Sequence, residues 1–302
     1  MKKVTRLFLG AIISVCLLTS CTAEDGINGA DGKDGVNGLN GTNGTNASTT
    51  SQGKTYVFIT GNITNAQAAS QIAQEVGPNT THISISNTTG LTTLDLSALT
   101  TVWEIFISYN LDLATVNLNG LKSINSLNLS NDNKLQSVSL NNLITSSYIS
   151  LSSCPIITSV NLPQLKFGTL QLVWGLSSLS SLSAPLLTIG GVYITGTSLV
   201  SLDLPMLNTA TGYLYLYSNK NLKTINLPNL ELANYGISIS DNALPSSEIN
   251  KLLNIFNTKI IYTGVASKFI SLQGQTPKAP PTGQGITDKN ALVSKGFTVT
   301  TD

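Results

Sequence analysis

The sequence contains little charge and almost no arginine. Only 10% of its 302 residues are charged, against roughly 25% in an average soluble domain. Its single arginine, Arg6, lies in the first twenty residues together with Lys2 and Lys3. The rest of the chain carries 13 lysines and 15 acidic residues, a net charge of −2. Proteins that bind nucleic acid neutralise its phosphates with a basic excess, so we predict no nucleic-acid partner.

Histidine and cysteine are too few for most catalytic and metal sites. The chain has one histidine, His82, and Cys154 is its one cysteine after residue 21. His82 has no second histidine with which to share a metal, and the sequence gives it no evident partnership with a serine and an acid. Cys154 precedes Pro155 at a predicted corner of the chain, where we expect it to be buried and inert. We predict no catalytic residue, no metal and no cofactor, and therefore a protein that is not an enzyme.

The first twenty residues have the pattern of a secretory signal peptide. The three basic residues precede an apolar run from Leu7 to Leu18. A helix of this run is about 18 Å long, which is too short for a hydrocarbon core of about 30 Å. We therefore predict that residues 1–20 are a signal peptide that is removed.

The end of this segment, LTSC at residues 18–21, resembles the bacterial lipobox. The resemblance implies cleavage before Cys21 and lipidation of its sulfur, and two or three acyl chains anchor a protein lastingly in a membrane. An ordinary signal peptide followed by an incidental cysteine is the alternative. Glu24 and Asp25 resemble the acidic residues that follow the lipidated cysteine in surface-exported lipoproteins. We expect an outer-membrane lipoprotein that is exposed on the cell surface, with a periplasm-facing position as the alternative.

Glycine then recurs at every third position from Gly26 to Gly44. These triplets resemble a short collagen-like tract, because only glycine fits the axis of a triple helix. The tract has no proline, so its chain is not preset to polyproline II geometry. We interpret residues 21–53 as the lipidated cysteine followed by a collagen-like polar spacer. The sequence leaves open whether this spacer forms a triple helix.

A repeat of about 22 residues dominates the rest of the chain. Each copy contains a short apolar alternation, as in LTTLDLSAL, and a second one, such as Ile105/Ile107. Apolar residues at every second position are typical of a strand with one buried face, and a period near 22 is typical of one solenoid coil. The first alternations of the copies begin at Leu91, Leu113, Leu135, Ile157, Leu179, Leu199 and Leu222.

The leucine spacing resembles that of bacterial leucine-rich-repeat proteins. The finer pattern, as in LSSLSAPLLTIGGVYITGTSLVSLDLPML, is similar to the receptor L-domain, and the resemblance covers residues 80–243. It implies a mainly β, right-handed solenoid that resembles a β-helix, but it names no ligand. The flanking disulfides of animal L-domains are absent. The asparagine of leucine-rich repeats is present at Asn110 and Asn219, whereas Thr197 replaces it.

We predict one folded domain over residues 54–302. It consists of an N-terminal cap (54–81), the repeats (82–243) and a C-terminal cap (244–302), since the end coils of a solenoid must be covered. Thr64 and Gln67 have the pattern of a capping box, and Pro245 fits the first position of an amphipathic helix. We therefore expect helices at both ends. The number of sheets around each coil is left open.

Outward-pointing residues of the second strands are mostly serine and asparagine, with one aromatic exception. The segment YLYLY places Tyr213, Tyr215 and Tyr217 on one face, with Tyr193 opposite Tyr215 on the preceding coil and Trp174 one coil earlier. Parallel strands lie about 4.8 Å apart, so these residues are expected to form one aromatic patch. Such a patch can bind a ligand, or its tyrosines can simply stabilise the sheet.

Aspartates elsewhere in the repeats do not build a site. Asp95 and Asp203 occupy equivalent positions, but five coils separate them by about 24 Å. A glycosidase pair needs roughly 5–9.5 Å. Asp112, Asp132 and Asp241 fall at predicted turns, yet none matches a calcium loop.

The sequence as a whole predicts a non-enzymatic cell-surface lipoprotein. Its partners are expected to be the membrane, through the lipid anchor, and a protein or polysaccharide ligand that the solenoid face recognises or adheres to. The alternative is a structural or accessory subunit that docks on an outer-membrane complex.

Overall fold

Residues 52–261 and 268–302 are described by a computed structural model and form a parallel β-solenoid of about eight turns. The prediction of a mainly β repeat solenoid with coils of about 22 residues and helices near its ends is confirmed. The predicted signal peptide, Cys21 and nearly all of the predicted spacer lie outside the described residues.

The described elements alternate between long and short strands. In chain order they are β1 (Tyr56–Asn62), α1 (Asn65–Glu75), β2 (His82–Thr89), β3 (Thr93–Asp95), β4 (Thr101–Ser108), β5 (Thr115–Asn117), β6 (Ser123–Ser130), β7 (Ser137–Ser139), β8 (Thr145–Ser152), β9 (Ser159–Asn161), β10 (Phe167–Leu172), β11 (Ser181–Ser183), β12 (Ile189–Thr195), β13 (Ser201–Asp203), β14 (Thr209–Tyr217), β15 (Thr224–Asn226), β16 (Leu232–Ala233), β17 (Ile237–Ser240), α2 (Ser246–Thr258), β18 (Phe269–Ser271), α3 (Gln284–Ser294) and β19 (Thr298–Thr300).

The long strands form one sheet, and the short strands form several small ones. The long sheet has the order β1-β2-β4-β6-β8-β10-β12-β14-β17-β18-β19, with β16 beside β14. The short strands pair as β3-β5-β7, β9-β11 and β13-β15. All of these pairings are parallel, for example Ile105 with Leu127 and Leu127 with Ile149. The solenoid therefore has one face of long strands that form a continuous sheet. Its second face consists of short strands whose pairing is interrupted between β7 and β9 and between β11 and β13.

Aliphatic side chains from both faces fill the interior. Leu118, Leu140 and Leu162, which are 22 residues apart, are all buried at equivalent positions of successive coils. The paired Ile105, Leu127 and their counterparts are buried opposite them. A single coil leaves both of its flat apolar sides exposed, so burial is completed only by the coils above and below it.

The long strands interrupt their alternation at one place. In β4 the two residues 103–104 lie between the buried Val102 and Ile105, and neither of them is buried. Residues 125–126 of β6 and 147–148 of β8 repeat this arrangement. Each of these three strands therefore has two adjacent outward residues where strict alternation allows one, and their pairing keeps a constant offset of 22 residues.

The extra residue is missing from the next two strands. In β10 and β12 a single residue separates the buried Gly168 from Leu170 and the buried Gly190 from Val192, and the sheet register shifts there. Glycine is required at position 190, because a Cβ atom would overlap the carbonyl oxygen of Gly168 in the preceding coil.

Helices lie near both ends of the solenoid. The predicted capping box at the start of α1 is present: the Gln67 backbone N–H donates to Thr64 Oγ1, and the Thr64 N–H donates to Gln67 Oε1 at 2.8 Å. Pro245 is the N-cap residue of α2, one position before the predicted one, because its ψ of 163° is extended. Among the described residues no helix combines the length and the apolar character needed to cross a bilayer.

We expect Leu129→Asp to prevent the solenoid from folding. Leu129 is 2% exposed in β6, and a carboxylate there would be buried without a partner while the aliphatic contacts are lost. The free energy of unfolding should fall by at least about 4 kcal/mol, which circular dichroism and thermal melting measure. Ser137→Asp adds the same charge at an exposed position of β7 and should melt like the parent protein. A Leu129→Asp variant with the parent's melting temperature would contradict the stacked core.

Candidate functional site

The predicted tyrosines lie together on the outer surface of β12 and β14. The sheet register pairs Tyr193 with Tyr215, and it pairs Thr195 with Tyr217. The ring centroids of Tyr193 and Tyr215 are 6.4 Å apart, and those of Tyr215 and Tyr217 are 5.9 Å apart. Tyr213 meets the ring of Tyr193 edge-on at 6.2 Å. These spacings are typical of favourable aromatic pairs.

Tyr235 extends this group into the next coil and is missed by the sequence analysis. Its ring centroid lies 5.2 Å from that of Tyr213. Tyr213 is the first residue of the alternating YLYLY segment, whereas Tyr235 precedes two consecutive buried residues, Gly236 and Ile237, and does not continue the alternation of its strand. The available signal is the spacing of 22 residues between the two tyrosines. We call Tyr193, Tyr213, Tyr215, Tyr217 and Tyr235 the tyrosine cluster.

The tyrosine cluster is held in place but remains accessible. The Tyr213 backbone N–H donates to the Tyr193 hydroxyl at 3.3 Å, which fixes one ring against the next strand. Tyr213, Tyr217 and Tyr235 are between 39% and 46% exposed, whereas Tyr193 and Tyr215 are half-buried. Three rings of the cluster are therefore exposed to solvent, and they pack against the two half-buried rings of Tyr193 and Tyr215.

Tyr148 and Gln171 place a hydroxyl group and an amide group beside Tyr193. Burial raises the pKa of the Tyr148 hydroxyl, a hydrogen bond with Ser150 opposes the increase, and Tyr193 adds to it. Tyr148 is therefore neutral at physiological pH. Gln171 pairs with Tyr193 in the sheet register, and its buried Oε1 has no hydrogen-bond partner within the described part of the chain.

Trp174 lies beside this surface, at the turn after β10. It is 72% exposed, its φ is +49°, and its carbonyl oxygen accepts a hydrogen bond from the Ser153 N–H at 2.7 Å. Among the described residues, no ring contact joins Trp174 to the tyrosines. The same turn has a residue of positive φ in most coils, namely Asn87, Tyr109, Asn131, Ser153, Trp174, Gly196, Ser218, Asp241 and Gly274.

Polar side chains form a ladder inside these turns. Asn110 accepts hydrogen bonds from the backbone N–H and hydroxyl of Thr88 and donates from Nδ2 to the Ile85 carbonyl at 3.1 Å. Asn219 makes the same three bonds with Thr197 and Ile194. Thr197 therefore belongs to the ladder as the hydroxyl partner of the next asparagine.

Asp132 occupies one rung of this ladder as an acid. Its Oδ1 accepts from the backbone N–H of Asn110 at 2.7 Å and from the Asn110 Nδ2 at 3.0 Å. Its buried Oδ2 has no partner among the described residues. Burial raises the pKa of Asp132 to about 6, against the effect of the hydrogen bonds from Asn110. This side chain lies in the interior and is not a surface ligand for a cation.

Protonation of Asp132 gives its side chain the hydrogen-bond donor that the asparagines of the ladder have. The Nδ2 groups of Asn110 and Asn219 donate to carbonyl groups 25 residues earlier in the chain. The same spacing from Asp132 leads to Ile107. A carboxylate only accepts hydrogen bonds, whereas a carboxylic acid has one O–H to donate, so the neutral form of Asp132 imitates the asparagine of the other rungs.

Cys154 follows on the next coil and is buried, as predicted. Its Sγ donates to the Ser152 carbonyl oxygen at 3.3 Å. Burial raises the pKa of the Cys154 thiol to about 12, and the backbone of Asp132 opposes this through a hydrogen bond. The thiol is therefore protonated at neutral pH and lacks the reactivity of a thiolate.

The remaining candidate residues are separate from one another. The His82 ring stacks on Tyr56 at 4.7 Å, and its Nε2 lies 3.9 Å from Glu104 Oε2. Asp112 is bound to Lys134 at 2.7 Å, and this interaction lowers the pKa of Asp112. Within residues 52–261 and 268–302, no three His, Cys, Asp or Glu side chains come together as a possible metal site.

We expect Asp132→Asn to stabilise the solenoid at neutral pH. An unfolded aspartate loses its proton near its ordinary pKa of 3.8 and the folded one near 6, so stability falls as the pH rises through this range. The cost at pH 7 is about 3 kcal/mol, and the variant avoids it because an amide has no charge to bury. Thermal melting from pH 4 to 7 should show an advantage for Asp132→Asn that grows with pH.

Asp112→Asn is the matched control for this measurement. Because its pKa is lowered in the fold by Lys134, loss of this carboxylate should reduce stability at neutral pH and have little effect at low pH. If Asp132→Asn melted no higher than the parent protein at pH 7, the burial of the charged Asp132 carboxylate would not destabilise the solenoid.

Comparison with known proteins gives no indication of the function of this chain. No protein-family model, curated protein or solved structure matches it. The assignment of a function therefore depends on the surface geometry of the described residues.

Proposed function

We propose that this protein is a non-enzymatic recognition or adhesion lipoprotein of the cell surface and that the tyrosine cluster binds its protein or glycan ligand. The observation that supports this is the contact of five tyrosine rings on one solenoid face, three of which are more than one third exposed. Contiguous exposed aromatic surface of this kind is typical of interaction sites.

The chemistry of the cluster suits a flat, polar ligand without charge. Tyrosine combines a rigid apolar ring with a hydroxyl group that donates and accepts hydrogen bonds. Such rings are enriched at protein interfaces and stack on the flat faces of ligands at a small entropic cost. The unpartnered Oε1 of Gln171 is an additional acceptor beside Tyr193.

Stabilisation of the sheet explains only part of this arrangement. Cross-strand pairing accounts for Tyr193 against Tyr215, since aromatic pairs strengthen neighbouring strands. It does not require Tyr235, which lies in the irregular segment before β17, or the exposure of the Tyr213 and Tyr217 rings. We therefore interpret the exposed members, Tyr213, Tyr217 and Tyr235, as the residues that contact the ligand.

The same surface supports a second candidate function. Tyrosine is among the residues that dominate binding energy at protein–protein interfaces, so the cluster also suits a structural or accessory subunit that docks on an outer-membrane complex. The two functions differ in the partner and not in the residues. A soluble or cell-borne ligand supports recognition, and a membrane protein that co-purifies only through the cluster supports docking.

Exposure on the cell surface is a separate expectation and has its own test. The proposal places the solenoid on a lipid at Cys21, behind a polar spacer of about 30 Å as a random coil. Protease added to intact cells should release fragments of the solenoid, and Cys21→Ser should abolish its retention in the membrane. Full protection in intact cells, with cleavage after lysis, would favour the periplasm-facing alternative.

Replacement of the exposed tyrosines tests the ligand site. We expect the triple variant Tyr213→Ser, Tyr217→Ser and Tyr235→Ser to lose binding at least tenfold on arrays of glycans and purified matrix proteins to which the parent binds. The corresponding triple Phe variant keeps the rings and separates stacking from hydrogen bonding.

Tyr109→Ser is the control for these variants. It removes an exposed tyrosine at a turn outside the cluster, and Ser153 and Ser218 occupy the equivalent turn position in other coils. It should therefore fold and bind like the parent. If the triple Ser variant binds the arrays as the parent does and keeps the same membrane partners, the tyrosine cluster only stabilises the sheet.

A further inference from the structure

A groove crosses the outer surface of β4, β6 and β8, several coils before the tyrosine cluster. Its volume is about 540 Å³, within the range of roughly 300–1,000 Å³ that small-molecule sites occupy. Its lining includes Trp103 of β4, Asn125 of β6 and Ser147 of β8, which are the first outward residues at the interruption of each strand. The groove therefore lies beside the interruption of each strand.

The extent of the groove follows from the sequence of these coils. The interruption occurs in β4, β6 and β8 and is replaced by the closely approaching Gly168 and Gly190 in β10 and β12. The lining runs from Thr80 and Thr81, in the coil before β4, to Ser147. Four coils at a spacing of about 4.8 Å give a groove of roughly 15 Å across the sheet. This length suits a short oligomer and not a single small molecule.

Trp103 provides a large aromatic surface in this groove. Its side chain is 58% exposed, although tryptophan is one of the residues that proteins usually bury for the most part. The hydrogen bonds of the described residues include none from its indole N–H, and their ring contacts do not include its ring. An indole that is free on its face and at its N–H can stack on a ligand and donate one hydrogen bond to it.

Hydroxyl and amide groups line the rest of the groove. Thr101, Ser123 and Thr145 are in register on successive strands, and the Thr145 hydroxyl donates to Ser123 Oγ at 2.9 Å. The side chains of Asn125 and Ser147 make no hydrogen bond to other residues in the described part of the chain. Each hydroxyl both donates and accepts, and the amide does both at separate atoms, so the surface matches a ligand that also carries many hydroxyls.

The absence of charge narrows the ligand further. The residues that line the groove are all uncharged. The nearest carboxylate in the sequence, that of Glu104, faces His82 at 3.9 Å instead. A phosphate or carboxylate ligand would find no cation here. An extended peptide would find no free strand edge, because the backbone of these central strands is already paired on both sides.

We propose that this groove binds a short neutral oligosaccharide, with one sugar ring stacked on Trp103 and its hydroxyls bonded to the serine, threonine and asparagine side chains. This site is distinct from the tyrosine cluster and goes beyond the function proposed above. Binding in the groove requires neither the cluster nor a position on the cell surface, so the two proposals can fail separately.

Tryptophan fluorescence tests the stacking directly. The chain has two tryptophans, so Trp174→Phe leaves Trp103 as the single emitter. We expect saturable changes in its emission when the purified full-length variant is titrated with neutral tetrasaccharides. The probes are fragments of glucan, mannan, xylan and chitin, and tetragalacturonate is the charged comparison. The reverse variant, Trp103→Phe, should show no change in the emission of Trp174 with the same probes.

Substitutions in the groove connect this signal to affinity, which calorimetry measures for the best neutral probe. Trp103→Ala should weaken binding at least tenfold, and Trp103→Tyr should retain part of it because a smaller ring still stacks. Leu111→Ala removes an exposed apolar side chain at the turn after the same strand and should bind like the parent. The melting temperatures of all variants are compared, so that loss of folding is not mistaken for loss of binding.

Several outcomes would overturn the assignment. The proposal fails if no neutral probe changes the Trp103 emission, if tetragalacturonate binds better than every neutral probe, or if Trp103→Ala binds as tightly as the parent. If the triple Ser variant of the tyrosine cluster loses the neutral sugars while Trp103→Ala retains them, the glycan site is the cluster. The function proposed above would then stand without the groove.

Discussion

Parallel pairing in register, coil upon coil, is the constraint from which the other features of this solenoid follow. It places equivalent residues of successive repeats about 4.8 Å apart, so each side chain meets its own counterpart above and below. Leucine upon leucine builds a continuous apolar interior. Asparagine upon asparagine or threonine builds an internal ladder in which each amide satisfies the backbone of the preceding coil. The ladder also buries Asp132, and this burial raises the pKa of its carboxyl group above that of an ordinary aspartate.

The two candidate surfaces arise where the strands depart from strict alternation. The groove beside Trp103 lies where β4, β6 and β8 each have two adjacent outward residues. Two extra residues in the segments before Leu214 and Ile237 bring Tyr213 and Tyr235 into contact. β10 and β12 lack the extra residue, and a Cβ atom at Gly190 would overlap the carbonyl oxygen of Gly168. The interior thus remains regular, while small changes in strand length diversify the exterior.

The sequence predicts the regular part of this structure and misses the irregular part for the same reason. Alternation and period locate the strands, and a shift by one residue would turn every aliphatic side chain outward, so the pairing of Tyr193 with Tyr215 can be predicted. Trp103 and Tyr235 lie where alternation is interrupted, so alternation does not assign them to a face, and only the repeat period links Tyr235 to Tyr213. The short-strand face is broken between β7 and β9 and between β11 and β13, and the repeat steps at these breaks, 22 and 20 residues, do not predict them.

The low charge of the chain and the character of both surfaces have a common physical basis. A protein with so few charged side chains must gain binding energy from ring stacking, apolar burial and neutral hydrogen bonds. Long-range electrostatic steering is weak in such a protein, and salt has little to screen. Its association is then governed by fit at contact distance, where fixed geometry limits the entropy lost on binding. A solenoid provides this geometry, because the rings and hydroxyls stand on strands whose spacing is set by the backbone and not by flexible loops.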